Sequence, residues 1–335
     1  MAKSTREFSI EAAGLTKTYG RAKVLHELSF AVRPGEVVGF LGPNGAGKST
    51  TMRILTGLIR ADAGEAFVDG ISVAREPQRV QERLGYMPEN NPLPEDLRVK
   101  DYLRFRGRLK GLHGKRLRTQ VSQSLEWCDL HRKHSRRLIG QLSKGLRQRV
   151  GIAEAVLAQP AVTILDEPTI GLDPHQILLI RRLIEQLRGK TTVILSSHIL
   201  AEVEVSCDRV LIINQGHLVA AGTLPELRHE FIRGETFEVV CKGSREALEA
   251  VLQAHFPTMQ ITQWEDLEDD WQQVTLETDE TNLPAEDVLR QLQTSPELTV
   301  REWRERRARL EDIFLAATRR SWDVESSASN TTADA

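Results

Sequence analysis

Gly42-Pro43-Asn44-Gly45-Ala46-Gly47-Lys48-Ser49 satisfies the pattern G-x-x-x-x-G-K-[ST] at every specified position. That pattern dictates its own surroundings. A loop that wraps an anion turns backbone N–H groups inward at positive φ and short range, where side chains would intrude, so Gly42, Gly45 and Gly47 suit it. Lys48 supplies a point charge to β- and γ-phosphates, Ser49 supplies a hydroxyl to Mg2+, and Pro43, Asn44, Ala46 and Thr50 complete the cradle. The flanks agree. Glu36 to Leu41 is a short apolar run that predicts a buried strand, and Ser49 to Leu58 predicts a helix with Met52, Leu55 and Ile59 at helical spacing. Strand, loop and helix together aim a helix N-terminus at the anion. The chain is expected to hold a nucleoside triphosphate.

Val162-Thr163-Ile164-Leu165 predicts a second buried strand, ending in Asp166-Glu167. Ligands of open α/β sheets sit at such strand ends. Asp166 is placed to hold Mg2+, and Glu167, one residue on and turned elsewhere, to deprotonate an attacking water.

Gln141-Leu142-Ser143-Lys144-Gly145-Leu146-Arg147-Gln148-Arg149 lies between these elements. It resembles the signature motif of ATP-binding-cassette (ABC) ATPases, usually Leu-Ser-Gly-Gly-Gln followed by a basic residue, Gln and Arg. Two positions depart from that form: Lys144 replaces the first Gly and Leu146 replaces the Gln. Leu-Ser-Lys-Gly is similar to the form in ATPase subunits of ABC-2-type exporters, including the gliding-motility and multidrug group. The resemblance implies that Ser143, Lys144 and Gly145 meet the γ-phosphate of an ATP held by a partner subunit's phosphate loop. Leu146, Val150, Ala153 and Leu157 are spaced to form the buried face of the following helix.

Further positions carry over from the same resemblance. Tyr19, in Thr16-Lys17-Thr18-Tyr19-Gly20, matches the aromatic that stacks on adenine. Glu89, in Gly85-Tyr86-Met87-Pro88-Glu89-Asn90, stands where a glutamine usually links Mg2+ and water to the membrane partner; a carboxylate there can ligate the ion but lacks an amide donor. Asp173, in Ile170-Gly171-Leu172-Asp173-Pro174, resembles the loop that reaches across the dimer. His198, after Val193 to Ser197, matches the histidine that senses the γ-phosphate.

The remaining sequence bounds the class. At 335 residues the chain suits one large or two ordinary domains. A net charge of −2 offers no global argument for nucleic acid. Three scattered cysteines, Cys128, Cys207 and Cys241, suit a reducing compartment. The N-terminus lacks a signal-peptide core, and no run approaches the roughly 20 apolar residues of a membrane span. Arg98 to Arg118 carries nine basic residues against Asp101 alone; in the family this insert docks against the transmembrane subunit. His131 and His134 sit among Arg132, Lys133, Arg136 and Arg137, where cations oppose a metal.

The expected architecture is an α/β ABC cassette over residues 8–230, with a RecA-like core, an antiparallel β subdomain and a helical subdomain. Within it, Arg75 to Arg137 is predicted helical. A small α+β C-terminal domain over 235–317 reads β-α-β-β-α-β, a ferredoxin-like order with a helix opened by Pro284 and a regulatory or dimer-supporting role. A disordered tail is expected over 318–335. The implied function is that of an ATP-hydrolysing subunit, with ATP and Mg2+, in a homodimer beside a separate permease. It would sit peripherally on the cytoplasmic face of the inner membrane, with no specific nucleic acid. The alternative is a soluble ABC ATPase acting on a ribosome or nucleic-acid assembly. One cassette and a short insert between Lys48 and Leu142 speak against it.

Overall fold

The computed structural model describes residues 7–131, 133–232, 234–279, 285–306 and 308–319. The chain opens with β1 (Ile10–Tyr19) and β2 (Ala22–Val32), enters β3 (Val37–Leu41), and turns through the phosphate loop into α1 (Lys48–Leu55). It continues through β4 (Ala63–Val68), β5 (Ile71–Ser72) and α2 (Pro77–Arg83) to β6 (Leu84–Met87). Three helices follow, α3 (Val99–Leu109), α4 (Gly114–Trp127) and α5 (Lys144–Ala155). Strands and helices then alternate as β7 (Val162–Asp166), α6 (Pro174–Leu187), β8 (Thr192–Ser196), α7 (Leu200–Ser206) and β9 (Arg209–Asn214). The tight turn Gln215-Gly216 leads to β10 (His217–Gly222), and α8 (Leu224–Phe231) follows.

A six-stranded sheet in the order β10-β9-β3-β8-β7-β6 carries the fold. All of its pairings are parallel except β10 with β9. Every residue of β3, β7 and β8 is buried, as continuous apolar runs require when both faces of a parallel sheet are covered. One face rests on a cluster that includes Phe40, Met52 and Ile213, the other on one that includes Leu103, Val150 and Leu183. The four-stranded antiparallel sheet β2-β1-β4-β5 belongs to the first cluster. Parallel order brings the C-terminal ends of β3, β7 and β8 to one edge, which is where the functional residues lie.

The expected helical stretch from Arg75 to Arg137 is interrupted by β6, which pairs in parallel with β7 from Leu84↔Val162 to Met87↔Leu165. Four residues are too few for a period to register, and tertiary approach decides instead. A Cβ on Gly85 would lie 1.9 Å from the Ala155 carbonyl oxygen, so this strand position accepts no side chain. The helix α5 is buried almost all round, Gln148, Arg149 and Glu154 included, a wider face than apolar spacing alone predicts. The other predicted helix, α1, stops at Leu55 and leaves Ile59 beyond its end.

Contacts divide the chain into two compact units, one holding the described residues through Leu224 and again from Ala317, the other Pro225–Ala316. The second unit contains β11 (Glu235–Lys242), α9 (Arg245–His255), β12 (Met259–Asp266), β13 (Gln272–Thr278), α10 (Ala285–Thr294) and β14 (Thr299–Arg306). Its sheet runs β12-β13-β11-β14 with every neighbour antiparallel, the split β-α-β arrangement of a ferredoxin-like sandwich. Phe237 stacks on Trp303 at 4.9 Å within it, and Leu248, Leu276 and Val288 complete the core. The border strand β14 exposes Arg301, Glu302, Arg304, Glu305 and Arg306. Pro284 lies outside the described residues. Residues 310–319 are helical, so Thr318 and Arg319 extend a helix, and the rest of the expected tail lies outside the description.

Candidate active site

The phosphate loop leaves the end of β3 and closes on α1, and two glycines are required by geometry. Gly47 caps α1 at φ 104°, and a Cβ there would stand 2.5 Å from the Leu25 side chain. Gly42 is crowded rather than left-handed: a Cβ would reach within 2.5 Å of the Ile213 carbonyl oxygen. No acid occupies the first turn of α1, so the positive end of its dipole faces the loop unopposed. Lys48 Nζ donates to the Gly42 carbonyl at 2.6 Å and the Pro43 carbonyl at 3.2 Å. Its burial lowers the ammonium pKa, and the carboxylates of Glu167, Asp166 and Glu89 push it back up. Three acids from two separate segments therefore surround one cation.

The end of β7 is tied to the end of β8. Ser196 Oγ donates to Asp166 Oδ1 at 2.5 Å and accepts the Glu167 N–H at 3.2 Å. Burial raises the Asp166 carboxyl above its ordinary value; Ser196 opposes this, and Glu89 adds to it. Glu167 stands at φ 51°, a left-handed conformation costing a non-glycine residue about 1 kcal/mol. It is held there by its N–H on the Ser196 carbonyl at 3.1 Å and by Gln148 Nε2, which donates to its carbonyl at 3.2 Å. Its carboxylate accepts from the His198 backbone at 3.3 Å, and His198 Nδ1 lies 2.6 Å from the same Oε2.

Lys48, Asp166, Glu167 and His198 share a cleft of about 410 Å3. Among the residues expected at the site, Asn44, Gly45, Gly47, Lys48, Ser49, Thr50, Glu89, Asp166, Glu167 and His198 all line it, and Val24 and Ile170 supply apolar wall. Tyr19 stands apart at the end of β1, 45% exposed, with Lys17 Nζ 5.7 Å from its ring centre. Ala46 is buried in the loop, its N–H on the Pro43 carbonyl.

The signature residues do not line this cleft. Ser143 is exposed and caps α5, its oxygen accepting the Leu146 N–H at 3.4 Å while its own proton remains to be donated. Lys144 lies against the loop after Glu167: a Cβ on Gly171 would be 2.5 Å from its Nζ. Gly145, which the resemblance sets against a partner's γ-phosphate, is buried, with the Gln176 amide where a Cβ would project. Asp173 caps α6 by accepting the Gln176 N–H at 3.0 Å. A single chain therefore presents one phosphate loop and, elsewhere on its surface, one signature.

Sequence reasoning missed Ser196, Gln148 and Gln176. Ser196 carried a signal, since it ends an apolar strand two residues before His198. Gln148 stood at the motif's own Gln, which marked its place but not its partner, and Gln176 carried no signal, because the positions they meet are brought near only by the fold.

A family model described as ABC transporter matches residues 25–170. The doxorubicin resistance ATP-binding protein DrrA of Mycobacterium tuberculosis is 33% identical over 329 residues, covering 93% of this chain and 94% of that protein. The Nod factor export ATP-binding protein I of Rhizobium etli is 34% identical over 256 residues, covering 76% of this chain and 80% of that protein. A solved ATP-binding subunit of an ABC transporter superposes with a TM-score of 0.62 at 34% identity, covering 66% of this chain and 92% of that one.

Proposed function

The chain belongs to the ABC transporter family as an ATP-binding, ATP-hydrolysing subunit of the exporter type, and on that premise we propose how its residues divide the work. Lys48 and the N–H groups of the Gly42 to Ser49 loop hold the phosphates of ATP, with Tyr19 against the adenine. Ser49, Asp166 and Glu89 would hold Mg2+: all three line one cleft and present only oxygen donors, as a hard octahedral cation prefers. When bound, the ion neutralises charge on the β- and γ-phosphate oxygens. Glu167 takes the proton of the attacking water, and His198 orients the Glu167 carboxylate and faces the γ-phosphate.

Cassettes of this family dimerise and work with transmembrane components. For this chain the partner is a second copy, whose Ser143, Lys144 and Gly145 complete the site around Lys48 while Asp173 reaches across. Closure on ATP and reopening after hydrolysis move a separate permease, which holds the subunit at the cytoplasmic face of the cell membrane. No helix among the described residues is long and apolar enough to cross a membrane. The cassette spans residues 8–230, and the accessory domain 235–317 supports or regulates the dimer.

The observation that carries this reading is the convergence of Lys48, Glu89, Asp166, Glu167 and His198 on one cleft. Copurification tests it: a multispanning membrane protein should accompany the tagged chain from detergent-solubilised membranes, and recovery with ribosomes or nucleic acid instead would overturn it. Removal of Glu235 to Ala335 should impair ATPase activity, dimer formation or transport. No change in any of the three would dispose of the role given to the C-terminal unit.

A further inference from the structure

Gln148 has no part in the division of work above, yet the residue is only 6% exposed and its amide donates to the main chain of the proposed base, Nε2 to Glu167 O at 3.2 Å. The same carbonyl accepts the Ile170 N–H at 3.3 Å, which continues the chain into the loop bearing Gly171 and Asp173. Glu167 needs such support. Its left-handed φ of 51° is what sends its N–H to Ser196 and its carboxylate to His198, and a peptide released from Gln148 would have only Ser196 and Ile170 to hold it against leaving that strained conformation.

The other end of the connection is Ser143. It caps α5, and Gln148 sits five positions further along the same helix. From Gly145 to Ala155 nearly every residue of α5 is buried, so the helix moves as a packed body rather than bending at its N-terminus. A displacement at Ser143 is carried to Gln148 and on to the peptide of Glu167.

We propose that Gln148 is a positioning residue through which ATP bound across the dimer at Ser143 sets the conformation of the base, Glu167, in the same chain. This rests on the dimeric reading of the site. Each subunit then activates water only when its signature helix is engaged by the partner's nucleotide, and the two sites fire cooperatively. Gln148 touches neither ATP nor water; it acts through Glu167.

Steady-state hydrolysis by the full chain, measured against Mg-ATP beside binding of a fluorescent ATP analogue, tests this. Wild type should hydrolyse with a Hill coefficient above 1. In Gln148→Met, which keeps the volume and loses the donor, kcat should fall about tenfold and the Hill coefficient approach 1, with analogue affinity within about twofold of wild type. Gln148→Glu is the second variant, should the first fold poorly: a buried carboxylic acid donates only when protonated, so its kcat relative to wild type should recover as pH falls from about 8 to about 6. A merely structural glutamine would lower binding and turnover together, with no pH-dependent recovery. Undiminished cooperativity in both variants, or a non-cooperative wild type, overturns the coupling. A wild-type chain that binds ATP but never hydrolyses it would instead overturn the assignment of Glu167.

Discussion

His198 Nδ1 and Glu167 Oε2 stand 2.6 Å apart, joining the ends of two neighbouring parallel strands through a histidine that is half exposed and a carboxylate that is nearly buried. The pairing engages one carboxylate oxygen of a residue that lines the cleft, and it makes the orientation of the base depend on the ring.

Glu167→Gln keeps the size of the side chain and removes the proton acceptor. Steady-state ATPase should drop by about 10²- to 10⁴-fold, the usual worth of a general base. ATP binding should persist, and size-exclusion chromatography should show a dimer that forms with ATP and does not come apart. Near-normal turnover would sink the assignment.

His198→Ala should lower kcat by about 10- to 100-fold by releasing the carboxylate it orients. The ring is half exposed, so the melting temperature should hardly move. A large loss of stability with unchanged kcat would make His198 a structural residue only.

Asp166→Asn should stabilise the nucleotide-free protein while abolishing Mg-ATP hydrolysis. Burial raises the folded Asp166 carboxyl above its ordinary 3.8, so between that value and the raised one the folded chain binds more protons than the unfolded chain. Stability therefore falls as pH rises through this window, and the deficit remains above it. Replacement by the neutral amide removes the deficit: thermal melts at neutral pH should rise, with the gain vanishing as pH approaches 3.8. An unchanged or lower melting temperature at neutral pH would contradict it.

Gly47→Ala forces a side chain onto φ 104° and into Leu25. It should destabilise the chain by about 1–3 kcal/mol and weaken ATP binding beyond detection in equilibrium dialysis. Retained affinity would mean that the loop re-forms around the added methyl.

Phe237→Ala removes one ring of the stack with Trp303 from the core of the second unit. A cost of about 3–5 kcal/mol is expected, visible in denaturant melts as earlier unfolding of that unit alone. Simultaneous early loss of nucleotide binding would show that the two units unfold together.

Much of this site was legible before any coordinates, because the chemistry leaves few options. A phosphate cradle needs Gly42, Gly47 and Lys48, and a strand that ends in Asp166-Glu167 declares its polarity through four apolar residues. The β-α-β-β-α-β order of the second unit was legible too, since its strands and helices alternate at ordinary lengths. What stayed hidden depends on approach rather than residue type. Short β6 exists because β7 is there to pair with it and Gly85 admits Ala155. The amides of Gln148 and Gln176 find their partners only in the folded chain, and the left-handed turn at Glu167 contradicts what glutamate does locally.

The border strand β14 bears on a different matter, the behaviour of the subunit during its own synthesis. An open sheet edge invites another chain to add a strand. Here that edge offers Arg301, Glu302, Arg304, Glu305 and Arg306, and a newcomer would have to strip water from all of them. A newly made copy of this chain therefore finds no cheap template along β14.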